Sequence, residues 1–126
     1  MSWDLKNKKE VSADWYLNQA NFEMDDAIIY YDRPLIYFFV DGNGRRMLAY
    51  VAENAGEELE RYIISPVDED QEKDLLANKI TFKDIFQKGE LWVIESYWVE
   101  TKECKCWEIG FKDIPEYMLS GLEAPV

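Results

Sequence analysis

Between Pro34 and Val40 the chain reads PLIYFFV, an unbroken apolar run rich in β-branched and aromatic residues. A run of this length and composition predicts a strand covered on both faces or nearly so. DGNGRR follows, with Asp-Gly and Asn-Gly in tandem. Gly and Asn tolerate positive φ, so this is a hairpin turn. MLAYVAE is then the returning strand, NAGEE a second turn and LERYIIS a third strand. Together these predict an antiparallel meander.

The pattern changes at PVDEDQEKDLLANK, Pro66 to Lys79. Ser65 is placed to cap a helix, with Pro66 at its first position and Asp68 three residues after the cap. Asp68, Glu69 and Asp70 fall where the helix dipole favours negative charge. Leu75 and Leu76 supply an apolar side, and Asn78 can close the helix in a left-handed conformation. TFKDIFQKG repeats the logic, with Thr81 as cap, Asp84 three residues on and Gly89 as the stop. Two more strands are expected in LWVIESYWVE and CKCWEIGF, and the tail DIPEYMLSGLEAPV reads as loop or a short closing turn.

The stretch SADWYLNQANFEMDDAIIYYD is ambiguous. Met24, Ala27, Ile28 and Tyr31 have helical spacing, yet AIIYY is also a good strand run. Pro34 disfavours helix just before it, and the expectation is a short helix ending near Asp32. Residues 1–10 read as a flexible polar end, and 11–126 as one domain. The predicted class is α+β: an antiparallel sheet of about five strands, with two short helices inserted between the third and fourth.

Five Trp, eight Tyr and six Phe in 126 residues are enough to fill one core. The start has basic residues but no apolar segment behind them, and no run approaches the roughly 18–20 residues a bilayer span needs. With two Cys, this predicts a cytoplasmic, reduced protein.

Charge narrows the function classes. The net charge is −12, concentrated in two stretches. Glu10 to Asp32 holds six acids and no base; Glu53 to Asp74 holds nine acids against Arg61 and Lys73. Nucleic acid and anionic membranes are bound through Lys and Arg, so neither is an expected direct partner. A basic protein is, with an on-rate steered by charge.

No catalytic signature is legible. The chain has no His, which removes the commonest general base, imidazole metal ligands, and Ser-His or Cys-His pairs. Cys104 and Cys106 share one side of a strand; two ligands fall short of a structural zinc site, and the spacing is not C-x-x-C. They read as reduced thiols packed on a sheet face. DGNGRRMLAYVAE begins like a calcium loop but has Arg46 at the sixth position and Ala52 at the twelfth. No cofactor or metal is expected. Trp92, Trp98 and Trp107 lie on strands, where an exposed ring flanked by acids would suit a protein interface.

The opening Tyr30-Tyr31-Asp32-x-Pro34, the hairpin, the strand ending in Pro66-Val67, the short helix, the turn from Asn78 through Phe86, and DIPEYMLSG resemble a family of small domains of unknown function in bacteria and their phages. The similarity runs from about Glu23 onward and rests on structural residues. Where the family usually has Gly, this chain has Asn78. The resemblance implies a small α+β domain in a bacterial or phage setting and carries no catalytic residue with it.

The leading expectation is a non-enzymatic interaction domain. Its acidic surface would comprise Glu53, Glu57, Glu58, Glu60, Asp68, Glu69, Asp70, Glu72 and Asp74, with Asp25 and Asp26 as a further patch. Its partner would be basic: a nucleic-acid-binding defence protein whose site it fills as a mimic, or a nuclease it blocks as an immunity protein. Two other classes stand beside it. One is a small-molecule or catalytic site between sheet and helices, lined by aromatics. The other is a structural or regulatory subunit, including a homodimer, paired through a sheet edge.

Overall fold

In the computed structural model, residues 5, 7–17, 27–31, 33–56, 59–97, 104–116 and 122 are described. They form strands β1 (Lys9–Val11), β2 (Ala27–Tyr31), β3 (Arg33–Val40), β4 (Arg46–Gly56), β5 (Leu59–Pro66), β6 (Leu91–Tyr97) and β7 (Cys104–Ile109). Helix α1 is Asp14–Leu17, α2 is Glu69–Leu76 and α3 is Phe82–Phe86. The seven strands make one antiparallel sheet in the order β1-β7-β6-β5-β4-β3-β2. The α+β class holds, but the described sheet has seven strands rather than about five, and α2 and α3 follow its fifth strand rather than its third.

Two strands were not expected. Ala27–Tyr31 is β2, not the end of a helix, and pairs irregularly with β3, placing Tyr31 opposite Arg33. Helical spacing and strand content competed in this segment, and pairing with β3 decides for the strand. Pro34, which donates no hydrogen bond, precedes the part of β3 that pairs with β4, which begins at Ile36. At the other edge, Lys9–Val11 pairs with β7, and Leu5 is 3% exposed. Within the expected loose end, Leu5 is thus drawn into the core, and Lys9 and Glu10 belong to a strand.

Alternation along the strands sends side chains to two covered faces. Phe38, Leu48, Ile63 and Val93 meet Leu75 of α2 and Phe82, Ile85 and Phe86 of α3, joined by Leu5, Ile114 and Leu122. Tyr50 packs its ring against Phe82 at 5.1 Å. On the opposite face Phe39, Met47, Tyr62, Ile64, Trp92, Ile94 and Cys106 meet Ala13 and the half-buried Trp15. Ile63 and Ile64 are both fully buried although they point to opposite sides. That double cover is why the central strands read as continuous apolar runs.

The connections are fixed locally. Thr81 and Asp84 form the expected capping box: the Thr81 N–H donates to Asp84 Oδ2 at 2.9 Å. The α2 cap lies three residues later than expected, because β5 continues through Pro66 and buries Ser65. Asp68 is the cap; its Oδ1 accepts the Gln71 N–H at 2.7 Å, and Gln71 Oε1 accepts the Asp68 N–H at 2.9 Å. At the far end Asn78 has φ +60°, the Asn78 N–H donates to the Leu75 carbonyl, and the Lys79 N–H to the Asp74 carbonyl. This is the expected left-handed closure. By contrast α3 ends at Phe86 without using Gly89, whose φ is not positive.

Candidate functional site at one end of the sheet

Among the described residues, the acids between Glu53 and Asp74 do not form one surface. Glu60 is the second residue of β5 and Asp68 follows the strand's end, so the strand holds the two groups roughly 20 Å apart at 3.3 Å per residue. Glu60 is also removed from any docking role: it is 1% exposed. It lies on the face that carries Tyr62, whose hydroxyl donates to Glu60 Oε2 at 2.9 Å. Strand alternation turns Glu60 to the same side as Tyr62 and Ile64, a consequence hidden while charge alone is read. Glu53 lies in β4 opposite Arg61. Glu57 and Glu58, like Asp25 and Asp26, fall outside the described residues.

The second group is on α2. Asp68, Glu69 and Asp70 are exposed around its first turn. Glu69 stands 3.5 Å from Lys73, an exposed pair of small energetic weight. Glu72 is half-buried and accepts Arg46 Nε at 2.9 Å; Asp74 is half-buried. The acids that remain for a partner on this helix are thus the three of the first turn.

That turn adjoins a feature the charge pattern did not reveal. The β3–β4 hairpin is organised by Asp41, itself 1% exposed. Asp41 Oδ1 accepts the Asn43 N–H at 2.9 Å and the Arg45 N–H at 2.8 Å, while Oδ2 accepts Arg45 Nε at 3.0 Å. Gly44 takes φ +84°, a conformation that costs a glycine little. The Arg45 guanidinium lies 5.4 Å from the centre of the Trp92 ring, and Trp15 packs on Trp92 at 5.3 Å. The Gly42 N–H donates to the Trp15 carbonyl at 2.9 Å, tying α1 to the hairpin.

Two clefts open at this end. One, about 360 Å³, is lined by Arg45, Arg46, Pro66, Val67, Asp68 and Gln71. The other, about 260 Å³, is lined by Glu90, Leu91, Trp92, Glu108 and Ile109. Of the tryptophans considered for an interface, Trp92 is 8% exposed and lines this second cleft, and Trp107 packs half-buried against the helix-side core. Trp98 falls outside the described residues. The DGNGR segment signalled the hairpin, and an Asp four residues before an Arg was legible in it. The meeting of Trp15 with Trp92 had no local signal.

The remaining chemistry is quiet. Neither Cys104 nor Cys106 is in a disulfide, and burial pushes the Cys106 thiol up to about 12 against a weaker opposing hydrogen bond from Trp15. Among the described residues no cluster of three potential metal ligands occurs, and no helix is long and apolar enough to cross a membrane. Comparison with protein-family models, curated proteins and solved structures returns no match.

Proposed function

We propose that the chain is a non-enzymatic interaction domain that docks on a basic protein through the α2 end of its sheet. One observation carries the reading: Asp68, Glu69 and Asp70 are exposed together on a capped helix turn, anchored by a buried Leu75. A fixed first turn presents its charges without ordering a loop on binding, which favours affinity. Next to it stands the Arg45–Trp92 stack, of the residue types that dominate interface energetics. In a bacterial or phage setting, as the family resemblance implies, such a domain would occupy the nucleic-acid site of a defence protein or block a nuclease. Arg45 and Arg46 beside the acids favour a protein-specific contact over a purely phosphate-like surface.

The test is capture of basic proteins from a bacterial lysate by the immobilised chain, beside the double variant Glu69→Lys/Asp70→Lys. Asp68 is left intact because it caps α2. A partner retained at low salt, released by added salt and lost on the double variant is the expected result. Displacement of that partner by duplex DNA identifies the nucleic-acid site as the surface occupied. Retention unaffected by salt and by the charge reversals overturns the reading.

A small-molecule site is the second reading, and one observation favours it: the buried Glu60 carboxylate beside the Tyr62 hydroxyl. Against it, the space between sheet and helices, where such a site was expected, is occupied by Phe38, Leu48, Ile63, Phe82 and Phe86. The sheet-edge reading is weakened by β1, a three-residue edge with Lys9 and Glu10 exposed, the kind of short charged edge that discourages pairing.

A further inference from the structure

We infer that the cleft between Arg45 and Gln71 is a carboxylate-binding subsite. The inference rests on how the donors around the cleft are divided. Arg46 is committed: its Nε donates to Glu72 and its guanidinium lies 5.0 Å from the centre of the Phe38 ring. It forms a wall. Arg45 is held differently. Its backbone N–H and its Nε both donate to Asp41, and one face of its guanidinium covers Trp92. Its side chain nevertheless stays 42% exposed. These contacts fix the plane and leave the two terminal Nη groups for a ligand. Gln71, which also lines the cleft, uses Oε1 to accept the Asp68 N–H, which leaves its amide NH₂ as a donor. Pro66 and Val67 contribute apolar lining.

A planar guanidinium fork recognises carboxylate and phosphate in two parallel hydrogen bonds. Charge selects between them here. The cleft includes the Asp68 carboxylate, and the chain carries a net charge of −12. A phosphate dianion meets about twice the repulsion of a carboxylate monoanion in that field. Holding Arg45 in place also removes much of the rotamer entropy that a free arginine loses on binding. The carboxylate can belong to an acidic side chain or to a chain terminus.

Amide NMR of the whole chain, titrated at constant ionic strength, tests this with three probes. N-acetyl-aspartate amide offers the side-chain source, N-acetyl-glycine the terminal one, and inorganic phosphate the competing anion. Saturable shifts centred on the 41–46 hairpin and Gln71, with one or both carboxylate probes and more weakly with phosphate, are expected. Arg45→Lys keeps the charge but loses the fork, and should weaken that binding about tenfold while the rest of the spectrum is unchanged. Gln71→Leu, which removes the amide donor, should weaken it further. Gln71→Leu also loses one half of the α2 cap, so Arg45→Lys is the decisive variant. Absence of saturable shifts with both carboxylate probes overturns the proposal. So does tighter binding of phosphate, or equal affinity in Arg45→Lys. None of these outcomes depends on whether a basic partner docks on Glu69 and Asp70.

Discussion

Lys8 Nζ lies 2.8 Å from Asp113 Oδ1, joining residues 105 positions apart in the sequence. The other carboxylate oxygen, Oδ2, accepts the Gly110 N–H at 2.8 Å. The Lys8 hydrogen bond first and the Gly110 N–H second hold the Asp113 carboxyl below its ordinary range. A carboxyl whose folded pKa is depressed stabilises the fold above its unfolded value and loses that contribution as pH falls through the folded value. Asp113→Asn is therefore expected to cost about 0.5–1 kcal/mol at pH 7, the scale of a partly screened pair. The gap from wild type should close below about pH 4, where the unfolded carboxyl titrates. Urea titrations of both proteins across pH 3–7 measure it.

Cysteine chemistry gives a second check. With its thiol pushed up to about 12, Cys106 at pH 8 carries roughly a thousandth of the thiolate of an ordinary cysteine. An alkylating reagent at that pH should label Cys104, which is half-buried, and spare Cys106 until the chain unfolds. Peptide mapping after timed labelling, with and without denaturant, reads this directly. Equal labelling of both in the native protein would contradict the burial of Cys106.

Glu60 sets a third expectation. Tyr62→Phe keeps the ring contacts with Tyr37, 6.0 Å away, but removes the hydroxyl that donates to a buried carboxylate. Loss of that bond should cost about 1–3 kcal/mol in chemical denaturation at neutral pH. Glu60→Lys should prevent folding, seen as loss of cooperative unfolding, whereas Glu69→Lys and Asp70→Lys, which reverse exposed charges in the first turn of α2, should each cost no more than about 1 kcal/mol and leave unfolding cooperative.

The end of α2 supplies the fourth. At φ +60°, Asn78 occupies a backbone region that glycine enters freely and alanine does not. Asn78→Gly is expected to match or slightly exceed the wild-type stability, and Asn78→Ala to fall short by about 1 kcal/mol. Thermal melts of the two variants decide it.

Much of the fold was legible because its signals are local. The DGNG turn, the Thr81–Asp84 cap and the Asn78 closure each depend on residues within a few positions of one another. Strands β3 to β7 announce themselves by composition. What escaped was settled by distant partners. β1 is a strand because β7 offers it an edge, and β2 because β3 does. The candidate site divides in the same way. Exposure of Asp68, Glu69 and Asp70 follows from the helix register, but the burial of Glu60 and the seating of Arg45 on Trp92 require the assembled sheet.

The strand order also sets a sequence of events during synthesis. From β2 to β7 every strand pairs with the next one made, so each hairpin can close soon after it leaves the ribosome. β1 is made first, yet its partner β7 is made last. Until then Leu5 lacks Ile114 and Leu122, with which it shares the core, and Lys8 lacks Asp113. This pairing has the largest loop to close, and such contacts form late. A nascent chain halted before Cys104 would carry its earliest strand unpaired, leaving an open β6 edge and an unfilled core for a chaperone to recognise.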